Sequence, residues 1–448
     1  MKTFRVYVFI LLLFSLLQYI NPLQAQQSQK ASSAGIEGEW LITVDYFNNP
    51  LEQPVIFINK GSTLSAQFVG DTTRLTVMQK GNSLKIVSNQ SDGSKTEYDG
   101  IFQSSEASGT VMMYDAFMKD TSINHWKAVK LKMTAPASNH LVNFIPTSFE
   151  RGFSATVVPV LHIWPGDTIH TESVDAGGMD KNGKRRVLGG NPLTGPFYVE
   201  TALPGDVLAV TITHLQLNRS WAFSTQGIVD RGLTIDYAQN HKISFDGVRW
   251  NLDMQKGMAS PEKPHEHMKN YSLPVKPMLG CVGVAPWFGS QPIGTGDSGP
   301  FGGNMDFNNI TEGATVYLPV LRAGALLYLG DAHALQGDGE LTGGALETSM
   351  DIQFKVKVIK DTSIHIGGPR VENAESIMAV GLSGSLDDAF KEATSELAKW
   401  LQHDYKLSPE EIAQVFGTAI EYNISEVADR NVGVVARIRK SILAGLNK

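Results

Sequence analysis

Apolar and polar residues alternate in many short runs between residues 37 and 133. The runs include WLITVDY, PVIFIN, RLTVMQ, SLKIVSN and WKAVKLKM, and turn-forming stretches such as NKGS, KGNS and QSDGS separate them. Period-two alternation places every second side chain on one face of a strand, and regularly spaced turns join antiparallel neighbours. The pattern is typical of a small antiparallel barrel or sandwich, and we predict a small β-barrel domain over residues 37–133.

A second β-rich region follows the loop-like stretch MTAPASNHLV, and we place it over residues 140–448. Three of its segments share one layout: VVPVLHIWPGDTIHTESVD, PFYVETALPGDVLAVTITH and ATVYLPVLRAGALLYLGDAH. In each, a glycine-containing turn separates two apolar runs, which is the layout of a strand, a turn and a second strand. The region is therefore expected to form a second β domain.

The C-terminal part of this region has the pattern of helices. Apolar residues recur at three- and four-residue spacing from Leu386 to Leu401, which is the period of an amphipathic helix. Ser408, Pro409 and Glu411 then provide an N-cap, a first helical residue and a capping-box glutamate, so a second helix should extend from about residue 409 to about residue 420. These helices are expected to cover a sheet rather than to carry chemistry.

The first 25 residues have the pattern of a secretory signal peptide. Lys2 and Arg5 precede an apolar stretch, and the segment ends at Leu23-Gln24-Ala25. An uncleaved anchor is the alternative, but we expect cleavage and no membrane span afterwards. The chain has a single cysteine, Cys281, and therefore forms no internal disulfide. An exported protein without disulfides favours a bacterial periplasmic or secreted location.

The charge balance excludes one class of partner. The 448 residues include 38 Lys and Arg against 45 Asp and Glu, and the formal net charge is −7. Because no long basic cluster is present, nucleic acid is not expected to bind. The composition fits a folded globular protein, and it is compatible with a homo-oligomer.

The densest group of chemically active residues is GDAHALQGDGE, residues 330–340, directly after the apolar run ALLYL. If that run is a strand, Asp331 and His333 are two residues apart and lie on one face. A carboxylate beside an imidazole is a ligand pair for zinc or another divalent ion. Asp338 and Glu340 follow a glycine turn that returns toward this pair, although a polar loop with an Asp-Gly turn is an equally good reading.

Two further polar clusters lie elsewhere in the chain. GTGDSGPFGGNMDFNN, residues 294–309, contains Asp306 among closely spaced glycines, which let backbone approach a ligand. HTESVDAGGMD, residues 170–180, contains Asp175. Both patterns also occur in ordinary long loops, so they indicate candidate sites without deciding the chemistry.

Two resemblances extend this picture. The opening GIEGEWLITV and the number of strands after it resemble lipocalin-like domains. From about residue 140 onward, VLGGNPLTGPFYVETALPGDVLAVTI, LGCVGVAP and GGNMD followed by GDAHALQGDGE resemble the acetamidase/formamidase family. This resemblance implies a jelly-roll-like β-sandwich domain with C-terminal helices, so the expected fold class is mainly β, with the small antiparallel barrel first. It also implies hydrolysis of a short amide to a carboxylate and ammonia with a bound metal.

The resemblance also implies which residues form the site. The polar positions shared with the family are Asp175, Asn304, Asp306, Asp331, His333, Gln336, Asp338, Glu340 and Glu347. Among them we predict Asp306, Asp331, His333 and Asp175 as ligands of a divalent metal, with zinc first and calcium as the alternative. Glu340 is the predicted base, Asp338 is the reserve, and Glu347 is a further catalytic candidate.

Other functions remain open on these residues. The predicted activity is metal-dependent cleavage of the C–N bond of a small formamide- or acetamide-like substrate. A hydrolase of small lactams or esters is one alternative. A metabolite-binding β protein with structural calcium is another, because oxygen-rich loops such as GDGE suit calcium. His333 argues against calcium, which is rarely bound by imidazole.

Overall fold

The computed structural model describes residues 35–446, except for 61–62, 70–72, 135, 241–243, 245 and 361–364. The predicted signal peptide, residues 1–25, lies outside the described residues. The strands are β1 Gly38–Tyr46, β2 Asn49–Lys60, β3 Thr63–Phe68, β4 Arg74–Lys80, β5 Ser83–Asn89, β6 Lys95–Gln103, β7 Glu106–Asp115, β8 Asp120–Lys130, β9 Leu141–Asn143, β10 Gly152–Phe153, β11 Leu161–Ile163, β12 Thr168–Glu172, β13 Leu193–Val199, β14 Val207–Leu217, β15 Trp221–Thr225, β16 Gly247–Asp253, β17 Met258–Pro261, β18 Leu273–Pro274, β19 Met278–Val284, β20 Ile293–Gly294, β21 Ser298–Gly299, β22 Gly302–Asn304, β23 Thr315–Pro319, β24 Leu327–His333, β25 Glu347–Thr348, β26 Met350–Ile359, β27 Arg370–Glu372, β28 Ser376–Ser383, β29 Glu421–Glu426 and β30 Val432–Arg439.

The helices are α1 Ile235–Asn240, α2 Leu386–Asp404, α3 Pro409–Ala419 and α4 Lys440–Leu443, with short 3-10 turns at Asp230–Gly232 and Glu266–Met268. The mainly β fold class predicted from the sequence is confirmed by the eight-stranded barrel, the sheets that follow it and the C-terminal helices. No helix in the part of the chain that the structure describes is both long and apolar enough to cross a bilayer.

Strands β1 to β8 form a closed antiparallel barrel in which each strand pairs with the next and β8 pairs with β1. Alternate residues point inward, so Trp40, Ile42 and Val44 of β1 are buried. Trp126 also enters the core, where its Nε1 donates to the carbonyls of Asp99 and Thr110. Among the described residues, the side chains that line this interior, including Trp40, Phe57 and Trp126, leave no room for a water molecule between them. The barrel interior is therefore a packed core rather than a ligand cavity.

Two larger sheets follow the barrel and share one apolar core. In one sheet the order of the main path is β18-β17-β16-β15-β25-β24-β19-β22-β21, and in the other it is β29-β30-β28-β27-β23-β14-β26-β12-β9. Leu279 and Tyr328 from the first sheet pack in the same cluster as Ile212 and Phe354 from the second. This apolar layer holds the sheets face to face and supports the strands that carry the polar residues of β24 and β25.

Helices α2 and α3 begin where the local sequence signals indicated. Ser385 caps α2 by accepting from the Asp388 amide. Ser408 and Glu411 form a reciprocal capping box at the start of α3. Helix α2 packs against β28 and β30, and a Cβ on Gly381 would lie 1.9 Å from the Ala389 carbonyl oxygen. Glycine is needed at this position because helix backbone directly contacts strand backbone.

A buried ion pair joins the barrel to the second region. Glu52 of β2 lies 3.4 Å from Arg322 Nε and accepts a 2.9 Å hydrogen bond from the Ala323 amide. Arg322 also donates to the Pro50 carbonyl. Burial raises the pKa of Glu52, and the neighbouring Arg322 guanidinium opposes that shift. These contacts fix the rim of the barrel to the turn between β23 and β24.

Candidate active site

The acidic run that follows ALLYL starts inside strand β24. Asp331 and His333 belong to this strand, and both are buried. Asp331 has φ of 51°, so the strand is locally distorted at this residue. The Asp331 carboxylate nevertheless lies beside the imidazole, with Oδ2 at 3.6 Å from His333 Nε2. The strand therefore brings the two side chains to one place.

Three buried acids adopt backbone angles that residues other than glycine rarely adopt. The φ angles are 42° at Asp306, 51° at Asp331 and 43° at Glu340. The left-handed region costs energy for an ordinary L-residue, and such residues often occur at functional sites. Here the backbone turns at positions far apart in the chain direct carboxylates into one buried space.

The imidazole of His333 is at the centre of this space. Its Nε2 lies 3.2 Å from Glu347 Oε1, and its Nδ1 lies 3.9 Å from Asp306 Oδ1. Ligand atoms of Asp306, Asp331 and His333 lie within 4.8 Å of one another, as do those of His333, Glu340 and Glu347. Two overlapping groups of metal-binding side chains therefore share one histidine.

Gln336 determines which nitrogen of His333 carries the proton. The Gln336 side-chain amide donates to the backbone carbonyls of Asp306 and Ser425, so its Oε1 is the atom that faces the imidazole. His333 Nδ1 lies 2.9 Å from this oxygen and donates to it. In the neutral ring, Nε2 then has a free lone pair directed toward the carboxylates, which is the tautomer that binds a metal.

Several buried polar atoms in this space have no hydrogen-bond partner among the described residues: Asp306 Oδ1, Asp331 Oδ1, His333 Nε2 and Glu347 Oε2. Buried polar atoms are nearly always paired because leaving one unpaired costs free energy. All four atoms carry a lone pair, so a further hydrogen-bond acceptor beside them would not satisfy them. A cation would, and the residues present fit a divalent metal.

The pKa shifts agree with this interpretation. Burial raises the pKa of Asp306 well above its ordinary value, and the charges of Glu340 and Asp331 raise it further. Burial also raises the pKa of Glu340 and of Glu347. For His333, burial lowers the pKa, but Glu347 and Asp331 outweigh it and the net shift is upward. The acidic group thus favours bound positive charge, whether from protons or from a metal ion.

Gly280 of β19 keeps open the space between two of the carboxylates. A Cβ at this position would lie 2.4 Å from Asp306 Oδ1 and 2.7 Å from Asp331 Oδ2. The Gly280 carbonyl also accepts from the amides of Met305 and Asp306, which holds the turn at Asp306 in place. The absence of a side chain therefore lets both carboxylates face the same point.

Replacing Gly280 by alanine is expected to weaken metal binding about tenfold to a hundredfold, the range seen when support of a metal ligand is disturbed. The added methyl would displace Asp306 Oδ1 and Asp331 Oδ2. Titration of metal-free protein with zinc measures the change. Gly294→Ala is the matched control, because a Cβ there has no atom within 4 Å. Equal affinity in wild type and Gly280→Ala would show that the metal does not lie between these carboxylates.

Two residues predicted for the site lie elsewhere. Asp175 does not belong to either ligand group, because its Oδ2 lies 2.7 Å from Arg219 Nη2 in a buried ion pair. Asp338 is exposed and accepts hydrogen bonds from the side chains of Asn308 and Asn423. The geometry therefore does not support Asp175 as a ligand, because the Arg219 guanidinium already neutralises its carboxylate. It does not support Asp338 as a reserve base either, because that side chain is exposed to solvent.

Three charged residues around the group were not predicted from the sequence: Arg219, Glu426 and Asp429. Arg219 donates to the Glu347 carbonyl and the Thr348 hydroxyl, which positions β25. Asn304 Nδ2 donates to Asp306 Oδ2 at 2.6 Å and to Asp429 Oδ2 at 2.8 Å. Burial raises the pKa of Asp429 to about 6 and that of Glu426 to about 8. No local motif marks these residues: Arg219 and Asp429 lie between strands and Glu426 lies in β29, at positions distant in sequence from Asp306 and His333.

The matched family model and the similar solved structures point to one family. The model of the Acetamidase/Formamidase family matches residues 296–434, which include Asp306, Asp331, His333 and Glu340. A Thermoanaerobacter tengcongensis structure described as a predicted acetamidase/formamidase is 30% identical with a TM-score of 0.58, and the match covers 69% of this chain and 98% of that one. An acetamidase structure from Yersinia enterocolitica is 27% identical with a TM-score of 0.59, covering 69% of this chain and 95% of that one.

Sequence relatives match over shorter segments. A Schizosaccharomyces pombe protein with a provisional formamidase name is 30% identical over 214 residues, which are 38% of this chain and 52% of that protein. A formamidase of Methylophilus methylotrophus is 48% identical over 61 residues, which are 13% of this chain and 15% of that protein. The chain thus spans about half of the first of these relatives and less of the second. With the match to the T. tengcongensis structure over nearly its whole length, the chain belongs to the acetamidase/formamidase family.

Proposed function

We propose that this protein is a metal-dependent amidase that hydrolyses the C–N bond of a small linear amide to a carboxylate and ammonia. The observation that carries the proposal is a buried group of lone-pair atoms without hydrogen-bond partners among the described residues. They belong to Asp306, Asp331, His333 and Glu347. Membership of a family that contains enzymes named formamidase and acetamidase supports the amide as substrate.

Asp306, Asp331 and His333 are the residues that hold the metal in this proposal. Their ligand atoms lie within 4.8 Å of one another, and Gln336 keeps the Nε2 lone pair of His333 available. A bound divalent cation polarises the amide carbonyl and lowers the pKa of water, which is what a resonance-stabilised amide requires. The imidazole in the donor set favours zinc over calcium, because calcium prefers oxygen ligands.

Glu340 and Glu347 are the proton carriers. Oε1 of each carboxylate accepts from the same amide, that of Ala345, so the two side chains approach the metal-binding group together. Glu347 Oε1 lies 3.2 Å from His333 Nε2, whereas no side-chain hydrogen bond ties Glu340 to the imidazole among the described contacts. Glu340 is therefore the freer base: it takes the proton of the attacking water and passes it to the departing nitrogen.

Metal removal tests this proposal. The zinc-loaded protein should release ammonia from formamide or acetamide, and dialysis against a chelator should abolish the release. Adding back zinc should restore it, and elemental analysis of the purified protein should find about one metal per chain. Ammonia release that persists in protein shown to be metal-free would overturn the metal role. Turnover of lactams or esters alone would mean that the protein cleaves one of those bonds instead of a linear amide. Turnover of none of these substrates by metal-loaded protein would favour the metabolite-binding protein with structural calcium.

We also propose that the protein is exported to the periplasm or secreted. The charge and apolar pattern of residues 1–25 and the single cysteine support this. Cys281 is buried, and burial raises its pKa well above its ordinary value, so it is suited to an inert role in the core. Fractionation of cells, with N-terminal sequencing of the mature protein, tests both the location and cleavage after Ala25.

A further inference from the structure

One row of residues crosses the sheet from its surface to the metal-binding group. Arg249 of β16 pairs directly with Phe223 of β15, Phe223 pairs with Glu347 of β25, and Glu347 pairs with His333 of β24. Directly opposite residues of antiparallel strands have their side chains on the same face of a sheet. The row thus has a cation at one end, an aromatic ring in the middle, and a carboxylate and an imidazole at the other end.

An open cavity lies over the surface end of this row. Its volume is about 480 Å³, and its lining includes Met179, Asn182, Trp221, Phe223 and Arg249. Gly177 connects this lining to the interior, because a Cβ there would lie 3.6 Å from the Phe223 ring and 3.2 Å from Asp175 Oδ1. Gly177 therefore lies between Phe223 of the cavity lining and the buried Asp175–Arg219 pair that positions β25.

Arg249 has charge available for a ligand in this cavity. The carboxylate nearest to it among the described residues is that of Glu262, at 3.8 Å from Nε, and both side chains are about half exposed, at 49% and 42%. Its guanidinium lies 4.3 Å from the centre of the Trp221 ring, which orients it without neutralising it. Arg219 lies over the same ring at 3.5 Å, but Asp175 already neutralises it.

We propose that Arg249 binds a carboxylate on the substrate, so that the preferred substrates are amides carrying a carboxylate a few carbons from the amide group. This inference rests on the proposed amidase function. Arg249 and Glu347 lie two strands apart, a Cα separation of about 10 Å. The arginine side chain spans part of this distance and a short acyl chain spans the rest. Phe223, between them, contacts the methylene groups of that chain, and the guanidinium fork matches the carboxylate.

The test compares two substrates of nearly equal size, succinamate and the neutral butanamide. In wild type, kcat/KM for succinamate should exceed that for butanamide by about tenfold or more, since a hydrogen-bonded charged group commonly contributes that much. Arg249→Gln should reduce this ratio about tenfold to a hundredfold, and Arg249→Lys should retain part of it. Lys256→Gln is the control: it removes an exposed charge from the adjacent hairpin turn, outside the cavity, and should leave both rates unchanged.

The outcomes separate this inference from the proposed function. Hydrolysis of butanamide with a ratio near one in wild type, or the same ratio in wild type and Arg249→Gln, would overturn the role of Arg249 and leave the amidase proposal intact. If metal-loaded wild type hydrolyses formamide or acetamide but neither of these two amides, the preference for carboxylate-bearing substrates is overturned; if it hydrolyses none of the four, the amidase proposal fails. Calorimetric titration with succinamate then tests whether Arg249 binds a carboxylate. Binding to wild type that is at least tenfold weaker in Arg249→Gln supports this role, and equal binding in both proteins or no binding overturns it.

Discussion

Replacing His333 by alanine should release the bound metal and lower amide hydrolysis by at least about a hundredfold, because even residues that only support a metal ligand commonly contribute tenfold to a hundredfold. His333 belongs to both groups of potential ligands, so its removal disrupts each of them. It also leaves the carboxylates of Asp331 and Glu347 facing each other without the imidazole between them. Elemental analysis and ammonia release, measured on the same preparation, give both results.

The control for this variant is His214→Ala. His214 is also on a strand, but it is half exposed and pairs with Glu312 on the surface. This variant should keep the wild-type metal content and activity, which shows that loss of a histidine alone has no effect. A thermal melt should accompany His333→Ala, because removing a fully buried side chain lowers the stability of the fold. Full metal retention by well-folded His333→Ala would contradict the ligand assignment.

Replacing Glu340 by glutamine should keep the metal and lower kcat about a hundredfold to ten-thousandfold, the usual contribution of a general base. Glutamine has nearly the same shape and can still accept from the Ala345 amide, but it cannot take a proton. Single-turnover ammonia release by the zinc-loaded variant measures the effect on the chemical step.

Two companion variants make this result specific. Asp338→Asn should be close to wild type, because Asp338 is exposed and bonds only to asparagine side chains among the described contacts. Glu347→Gln should also lower the rate if both carboxylates carry protons, and should lower metal content if Glu347 is a ligand as well. Near-normal kcat in Glu340→Gln together with a large loss in Glu347→Gln would transfer the role of base to Glu347.

Features that depend on neighbouring residues were predictable from the sequence. The capping box at Ser408 and Glu411 involves residues three apart, and α3 begins at Pro409 as expected. The barrel strands follow from alternation within each run and from turns between successive strands, which pair in order. Asp331 and His333 were recognised together because one strand carries both.

Other parts of the site were predictable only through resemblance or not at all. Spacing alone did not separate Asp338 from Glu340, two residues apart, because the turn that buries Glu340 and exposes Asp338 depends on φ of 43° at Glu340. Asp175 looked like a ligand because its partner, Arg219, is distant in the sequence, in the connection between β14 and β15. Asp429, in the connection between β29 and β30, comes close to the group through a hydrogen bond from Asn304 of β22, which is distant in the sequence.

The sequence by itself determined the strand-rich class of the protein, its helix starts, and the acidic and histidine residues available near position 331. The tertiary structure decided which of those residues face one another, that Gly280 leaves room between two carboxylates, and that Arg249 lies in the same row as Glu347 and His333. The reason is the range of the interactions. Alternation and capping act over a few residues, whereas the burial and pairing of a charge depend on strands that are distant in the chain and adjacent in the sheet.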